Sequence, residues 1–152
     1  MTGNVRRLLL VLGDQLDAGS TMLRIASRMA EVSHEAHAAT HVWSHKARLT
    51  LFLSAMRHSC GLRGEQGFDI TYHALESHEN SRLAELLKQD LKQLQPSAVR
   101  LVLPRDFRVH QELSAVCKAA GVPLETVADG HFIDSPENVA DWASGRQQLR
   151  LE

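Results

Sequence analysis

Leu8-Leu9-Leu10-Val11-Leu12 is a short, wholly apolar run closed by Gly13-Asp14. Such a run predicts a strand buried on both faces, as in a parallel sheet. Further along, Phe68, Ile70, Tyr72 and Ala74 alternate with Asp69, Thr71 and His73, the period of two expected of a half-buried strand. Val99 to Leu103 and Leu124 to Val127 are two more short strand segments. Between them the spacing is helical. Leu49, Leu53, Met56 and Cys60 fall on one face, as do Leu83, Leu86, Leu87, Leu91 and Leu94, and again Val109, Leu113, Val116 and Ala120. Gly121 followed by Pro123 stops a helix before a strand, and Pro96-Ser97 ends the Leu83 helix. Ser135-Pro136 reads as a cap with proline in the first turn, opening a helix through Trp142 that Gly145 ends. A second strand is expected between Gln15 and Thr40. Met29 to Val32 is assigned to it, with Asp17 to Ser20 turn-like and His34 to Thr40 rich in Ala and His. Alternating strands and helices predict an open α/β sheet of about five strands with helices on both faces.

Composition narrows the class. At 152 residues the chain has the length of about one domain, 1–152. It is 43% hydrophobic and 23% charged, with mean hydropathy -0.22, as expected of a globular protein. Seventeen Lys+Arg against eighteen Asp+Glu give a net charge of -1, which weighs against a dedicated nucleic-acid binder. Two cysteines, Cys60 and Cys117, exclude a disulfide scaffold and a four-cysteine metal or cluster site. Arg6 and Arg7 precede only one short apolar run, and no small-residue cleavage site follows, so neither a signal peptide nor a membrane span is expected. The expectation is one domain of cytoplasmic type.

Gly13-Asp14-Gln15 stands directly after the first strand, where ligands enter the crevice of an open α/β sheet. Glycine permits close approach of the backbone, and Asp and Gln offer acceptors and donors. The same residues are also ordinary turn chemistry. Glu31, near the end of the second strand as assigned, is a candidate for the same crevice or a solvated carboxylate. No Gly-x-Gly-x-x-Gly or Walker A sequence occurs. His34, His37, His41 and His45 would share one side of a continuous helix, but no His-Glu-x-x-His or paired cysteines accompany them, and no metal is expected. His45, Lys46 and Arg48 open the Leu49 helix as a solvated face or as an anion contact. Both cysteines lie on or beside apolar helical faces, where a thiol is a small core group. Nothing in the spacing points to a catalytic nucleophile.

Leu9 to Leu16, Met29 to Val32, Thr40 to Lys46 running on into Leu53 to His58, and His131-Phe132 with Trp142 to Arg150 resemble the amino-terminal domain of the deoxyribodipyrimidine photolyase-related proteins. These are the prokaryotic iron–sulfur cryptochrome/photolyase group. The resemblance covers nearly the whole chain in four ordered motifs. It implies a Rossmann-like antenna domain that precedes a helical domain holding FAD and a [4Fe–4S] cluster, in proteins that repair ultraviolet DNA lesions or sense blue light. It further implies 6,7-dimethyl-8-ribityllumazine as antenna chromophore, held by Gly13, Asp14, Gln15, Glu31 and the stretch from Lys46 to Phe52.

Three departures from the family pattern surround the crevice. The connection before Met29 is short, His34 to Ala39 carries extra residues, and Pro104-Arg105-Asp106-Phe107 replaces a Glu-Pro-Gly-Glu-Trp-like turn. FAD and the cluster are not expected in these 152 residues, so the chain alone is not expected to repair DNA or to bind it directly. The alternatives are a standalone α/β binder of a nucleotide or flavin-like ligand, and an interaction module for a separate helical partner.

Overall fold

The computed structural model describes residues 7–16, 30–34, 45–75, 82–130 and 132–146. In chain order these form β1 (Leu8–Val11), β2 (Ala30–His34), α1 (Lys46–Glu65), β3 (Asp69–His73), α2 (Leu83–Leu94), β4 (Val99–Val102), α3 (Phe107–Ala120), β5 (Leu124–Val127) and α4 (Pro136–Ala143). The mixed α/β class and the open parallel sheet expected from the sequence are what the chain adopts. The strands lie in the order β3-β2-β1-β4-β5, and every neighbouring pair is parallel. The chain steps outward from β1 to β3, then returns to place β4 on the other side of β1. The strand order therefore reverses between β1 and β4.

The central position of β1 accounts for its composition. Leu8, Leu9, Leu10 and Val11 are all buried, because successive side chains point to opposite faces and both faces are covered. Leu8 and Leu10 join Val99 and Leu101 of β4 in packing against Leu87 and Leu91 of α2 and Leu113 and Cys117 of α3. Leu9 and Val11 pack on the other side with Leu16, Phe68, Val102 and Val127. The flanking strands are more polar. Across the β4–β5 register Arg100 faces Glu125 and donates to its Oε2 from Nη2 at 2.6 Å and from Nε at 2.8 Å.

The helix ends follow local chemistry. The Asp106 carboxylate accepts from the Arg108 amide at 2.8 Å to start α3, and the Arg108 guanidinium beside it holds the Asp106 carboxyl below its ordinary pKa. Gly121, at φ 69°, takes the left-handed conformation that ends α3. The Ser135 hydroxyl accepts from the Asn138 amide at 3.2 Å, with Pro136 in the first turn of α4, as the sequence predicts. The structure differs from expectation at the second strand. β2 begins at Ala30 and runs on to His34, because parallel pairing on both sides carries it past Val32.

Cys117 is 1% exposed, and burial pushes its thiol up to about 11, whereas Cys60 on α1 is half-buried. At pH 8 a thiol reagent is expected to modify Cys60 in the folded protein and Cys117 only on unfolding, as counted by released chromophore. Two equivalents reacting at one rate would contradict this placement. The unfolded thiol titrates near 9.0, so the folded state retains a proton that the unfolded chain gives up. This contribution to stability is complete below pH 9 and is lost as pH rises through about 11. Cys117→Ala should flatten the melting temperature against pH in that window.

Candidate functional site

The strand order reverses between β1 and β4, and it is at the carboxyl ends of the strands beside such a reversal that α/β proteins bind ligands. Three connections converge there. After β1 the chain turns through Gly13 and Asp14, with the Gln15 amide donating to the Leu12 carbonyl at 2.9 Å. After β4 come Leu103, Pro104 and Arg105, and after β5 come Asp129 and Gly130.

Gln15 binds the first two connections together. Its side chain Nε2 donates to the carbonyl of Val102 at 3.1 Å and to that of Leu103 at 3.4 Å. The paired register between β1 and β4 covers Leu8 with Val99 and Leu9 with Arg100, so this amide holds the strands together beyond the paired residues. Gln15 is 7% exposed, and its Oε1 is buried with no hydrogen-bond partner among the described residues. A buried acceptor left unpaired costs about 1–3 kcal/mol, so Oε1 is suited to a donor on a ligand.

Arg105 links the three connections. Its Nε is 3.8 Å from Oδ2 of Asp14, and its Nη2 is 3.7 Å from Oδ2 of Asp129. Its guanidinium carbon lies 5.1 Å from the ring centroid of Phe132. Asp14 and Arg105 are accessible, while the Asp129 side chain is buried.

Of the residues singled out in the sequence, Gly13, Asp14, Gln15 and Phe52 come together. A Cβ placed on Gly13 would lie 2.4 Å from Phe52 Cζ and 2.7 Å from Met56 Sδ. The close approach at Gly13 is therefore made by α1. Lys46 is exposed in the first turn of α1, where its carbonyl accepts from the Thr50 hydroxyl at 2.9 Å. Glu31 is placed differently from expectation. It is the second residue of β2, level with Leu9 of β1 and Ile70 of β3, and the carboxyl end of the strand is His34. Gly13 lies four residues beyond Leu9, about 13 Å further along at roughly 3.3 Å per residue.

The histidine series does not share a helix. His34 ends a strand, and His45 caps α1, its Nδ1 accepting from the Ala47 amide at 3.2 Å. His37 and His41 lie outside the described residues. No group of three or more potential ligands that could hold a metal ion occurs among the described residues. No helix among them is long and apolar enough to cross a membrane. At the β3 end of the sheet, the ring Nε2 of His73 lies 2.9 Å from Oδ1 of the buried Asp90, joining β3 to α2.

Sequence reasoning missed Arg105 and Asp129 as members of the site. The signal was present: each follows directly on a predicted strand, as Asp14 does, and the rule that singled out Asp14 applies equally to them.

The sequence matches the deoxyribodipyrimidine photo-lyase-related protein family over residues 9–152. A (6-4) photolyase from Agrobacterium fabrum (strain C58 / ATCC 33970) is 29% identical over 158 residues, an alignment that covers 96% of this chain. The chain spans 30% of the length of that relative.

Proposed function

The chain belongs to the deoxyribodipyrimidine photo-lyase-related family, and from that premise we propose that it is the antenna-chromophore scaffold of a light-driven flavoprotein. The layout is read as Rossmann-like, a single doubly wound domain over 1–152 with helices on both faces of the sheet. The proposed ligand is a lumazine of the 6,7-dimethyl-8-ribityl type, seated at the reversal of strand order. The observation that carries this reading is the convergence of Gly13-Asp14-Gln15 with Arg105 and Asp129 at the carboxyl ends of β1, β4 and β5.

The residues present fit such a group. The Asp14 carboxylate and the unpaired Oε1 of Gln15 are acceptors for ring N–H or ribityl hydroxyl donors. Phe52, drawn close by Gly13, supplies an apolar surface. Lys46 adds a positive charge at the start of α1. A bound lumazine would supply absorption of near-ultraviolet and blue light and transfer of the excitation to a redox cofactor. The redox chemistry, with FAD and a [4Fe–4S] cluster, is assigned to a helical domain, as is repair or signalling in the assembled protein.

Thermal melting tests the reading. Lumazine at 100 times its dissociation constant should add about 2.7 kcal/mol, or roughly 5–11 °C in melting temperature for a chain of this size. Asp14→Ala should remove most of that shift. An unchanged melting temperature with saturating lumazine and with riboflavin would defeat the antenna reading.

A further inference from the structure

Arg105 and Phe132 lie on different connections, and Arg105 stands where the family pattern has a different turn. The guanidinium lies 5.1 Å from the Phe132 ring centroid, a stacking distance. Both partners remain accessible: the Arg105 side chain is 47% exposed and Phe132 is 55% exposed. An aromatic left this open is not held in place by core packing. Asp14 and Asp129 approach the guanidinium at 3.8 and 3.7 Å, separations longer than a hydrogen bond. They keep Arg105 at this end of the sheet, with its guanidinium near the Phe132 ring and its side chain half open to solvent. Its neighbour Asp14 offers an accessible carboxylate, and on the same connection the Gln15 Oε1 is a buried acceptor without a partner among the described residues.

We propose that Arg105 and Phe132 form a stacking shelf that selects a planar heterocycle bearing ring N–H donors. The plane of the ligand lies against the guanidinium–phenyl pair, and its donors turn toward Asp14 and Gln15. The shelf deepens the antenna reading, since it names what recognises the ring rather than the ribityl chain. Lysine cannot replace Arg105 in this role, because an ammonium is a point charge without a stacking plane.

The experiment measures dissociation constants of lumichrome, a planar alloxazine without a ribityl chain, and of 6,7-dimethyl-8-ribityllumazine. Both are titrated against the full chain and its Arg105→Ala, Arg105→Lys and Phe132→Ala variants. Each variant should weaken lumichrome binding about tenfold or more, the scale of one lost stacking partner. Because Phe132 is exposed, its variant should fold normally, as circular dichroism would check. Lumichrome binding that all three variants leave unchanged would overturn the shelf. If the lumazine binds the parent and all three variants equally, the shelf fails and the antenna reading stands. If lumichrome binds through the shelf and the lumazine does not bind at all, the shelf stands and the antenna reading fails. A parent chain that binds neither compound overturns both.

Discussion

Leu10→Ala should lower the unfolding free energy by about 2–5 kcal/mol, the range for emptying a buried leucine site. Leu10 is 1% exposed in the central strand, within the cluster that includes Leu87, Leu91, Val99, Leu101, Leu113 and Cys117. Removing three carbons there loses their transfer energy and leaves a cavity between sheet and helices that a backbone held in the central strand cannot collapse to fill. A loss near 3 kcal/mol would lower the melting temperature by roughly 6–12 °C in a chain of this length. Leu51→Ala is the control. Leu51 is 73% exposed on α1, so its truncation should stay within about 0.5 kcal/mol. Denaturant melts of the two variants would decide the matter. Similar midpoints for both would mean that the core is not centred on β1.

Gly13→Ala carries the second large effect. Its new Cβ would stand 2.4 Å from Phe52 Cζ and 2.7 Å from Met56 Sδ, closer than non-bonded atoms tolerate. Relief requires the Phe52 ring and the Met56 thioether to swing away from the β1 connection and repack. Overpacking of this kind costs about 1–3 kcal/mol. Phe52 is also the apolar surface assigned to the ligand, so ligand affinity should fall along with stability. Phe52→Leu offers a specific rescue. In Gly13→Ala/Phe52→Leu the shortened side chain should restore much of the lost stability, giving a coupling energy of about 0.5–3 kcal/mol in a double-mutant cycle. Additive losses would show that the glycine serves another purpose.

Legibility from the sequence followed burial. β1 announces itself because a strand covered on both faces admits only apolar residues, and β5 spans the Leu124 to Val127 segment set off by Gly121 and Pro123. Ala30-Glu31-Val32-Ser33-His34 contains one large aliphatic residue, so neither its length nor its carboxyl end could be read from hydropathy. Its extent is set by hydrogen bonding to two neighbours, which involves the backbone alone. That is also why Glu31 appeared to stand at a strand end and in fact pairs at the level of Leu9. The histidine spacing forms no shared face for a related reason, since a period of three and four has that meaning only where the backbone is helical, and His34 is in a strand.

The candidate site divides in the same way. Gly13, Asp14 and Gln15 were legible because they immediately follow the clearest strand in the chain. Arg105 and Asp129 were legible only singly, each by its place after a strand; that they meet Asp14 follows from the order of the sheet. The double use of Gln15, donating to two carbonyls while leaving Oε1 buried, depends on where β4 ends.

The most direct test of the antenna-scaffold assignment is an equilibrium titration of 6,7-dimethyl-8-ribityllumazine with the purified chain, followed by the fluorescence anisotropy of the lumazine. Saturable binding of one lumazine per chain is expected, weakened at least about tenfold by Asp14→Ala, the loss that follows removal of a charged acceptor. Anisotropy that stays at the value of lumazine alone up to millimolar protein would contradict it, as would saturable binding that Asp14→Ala leaves untouched.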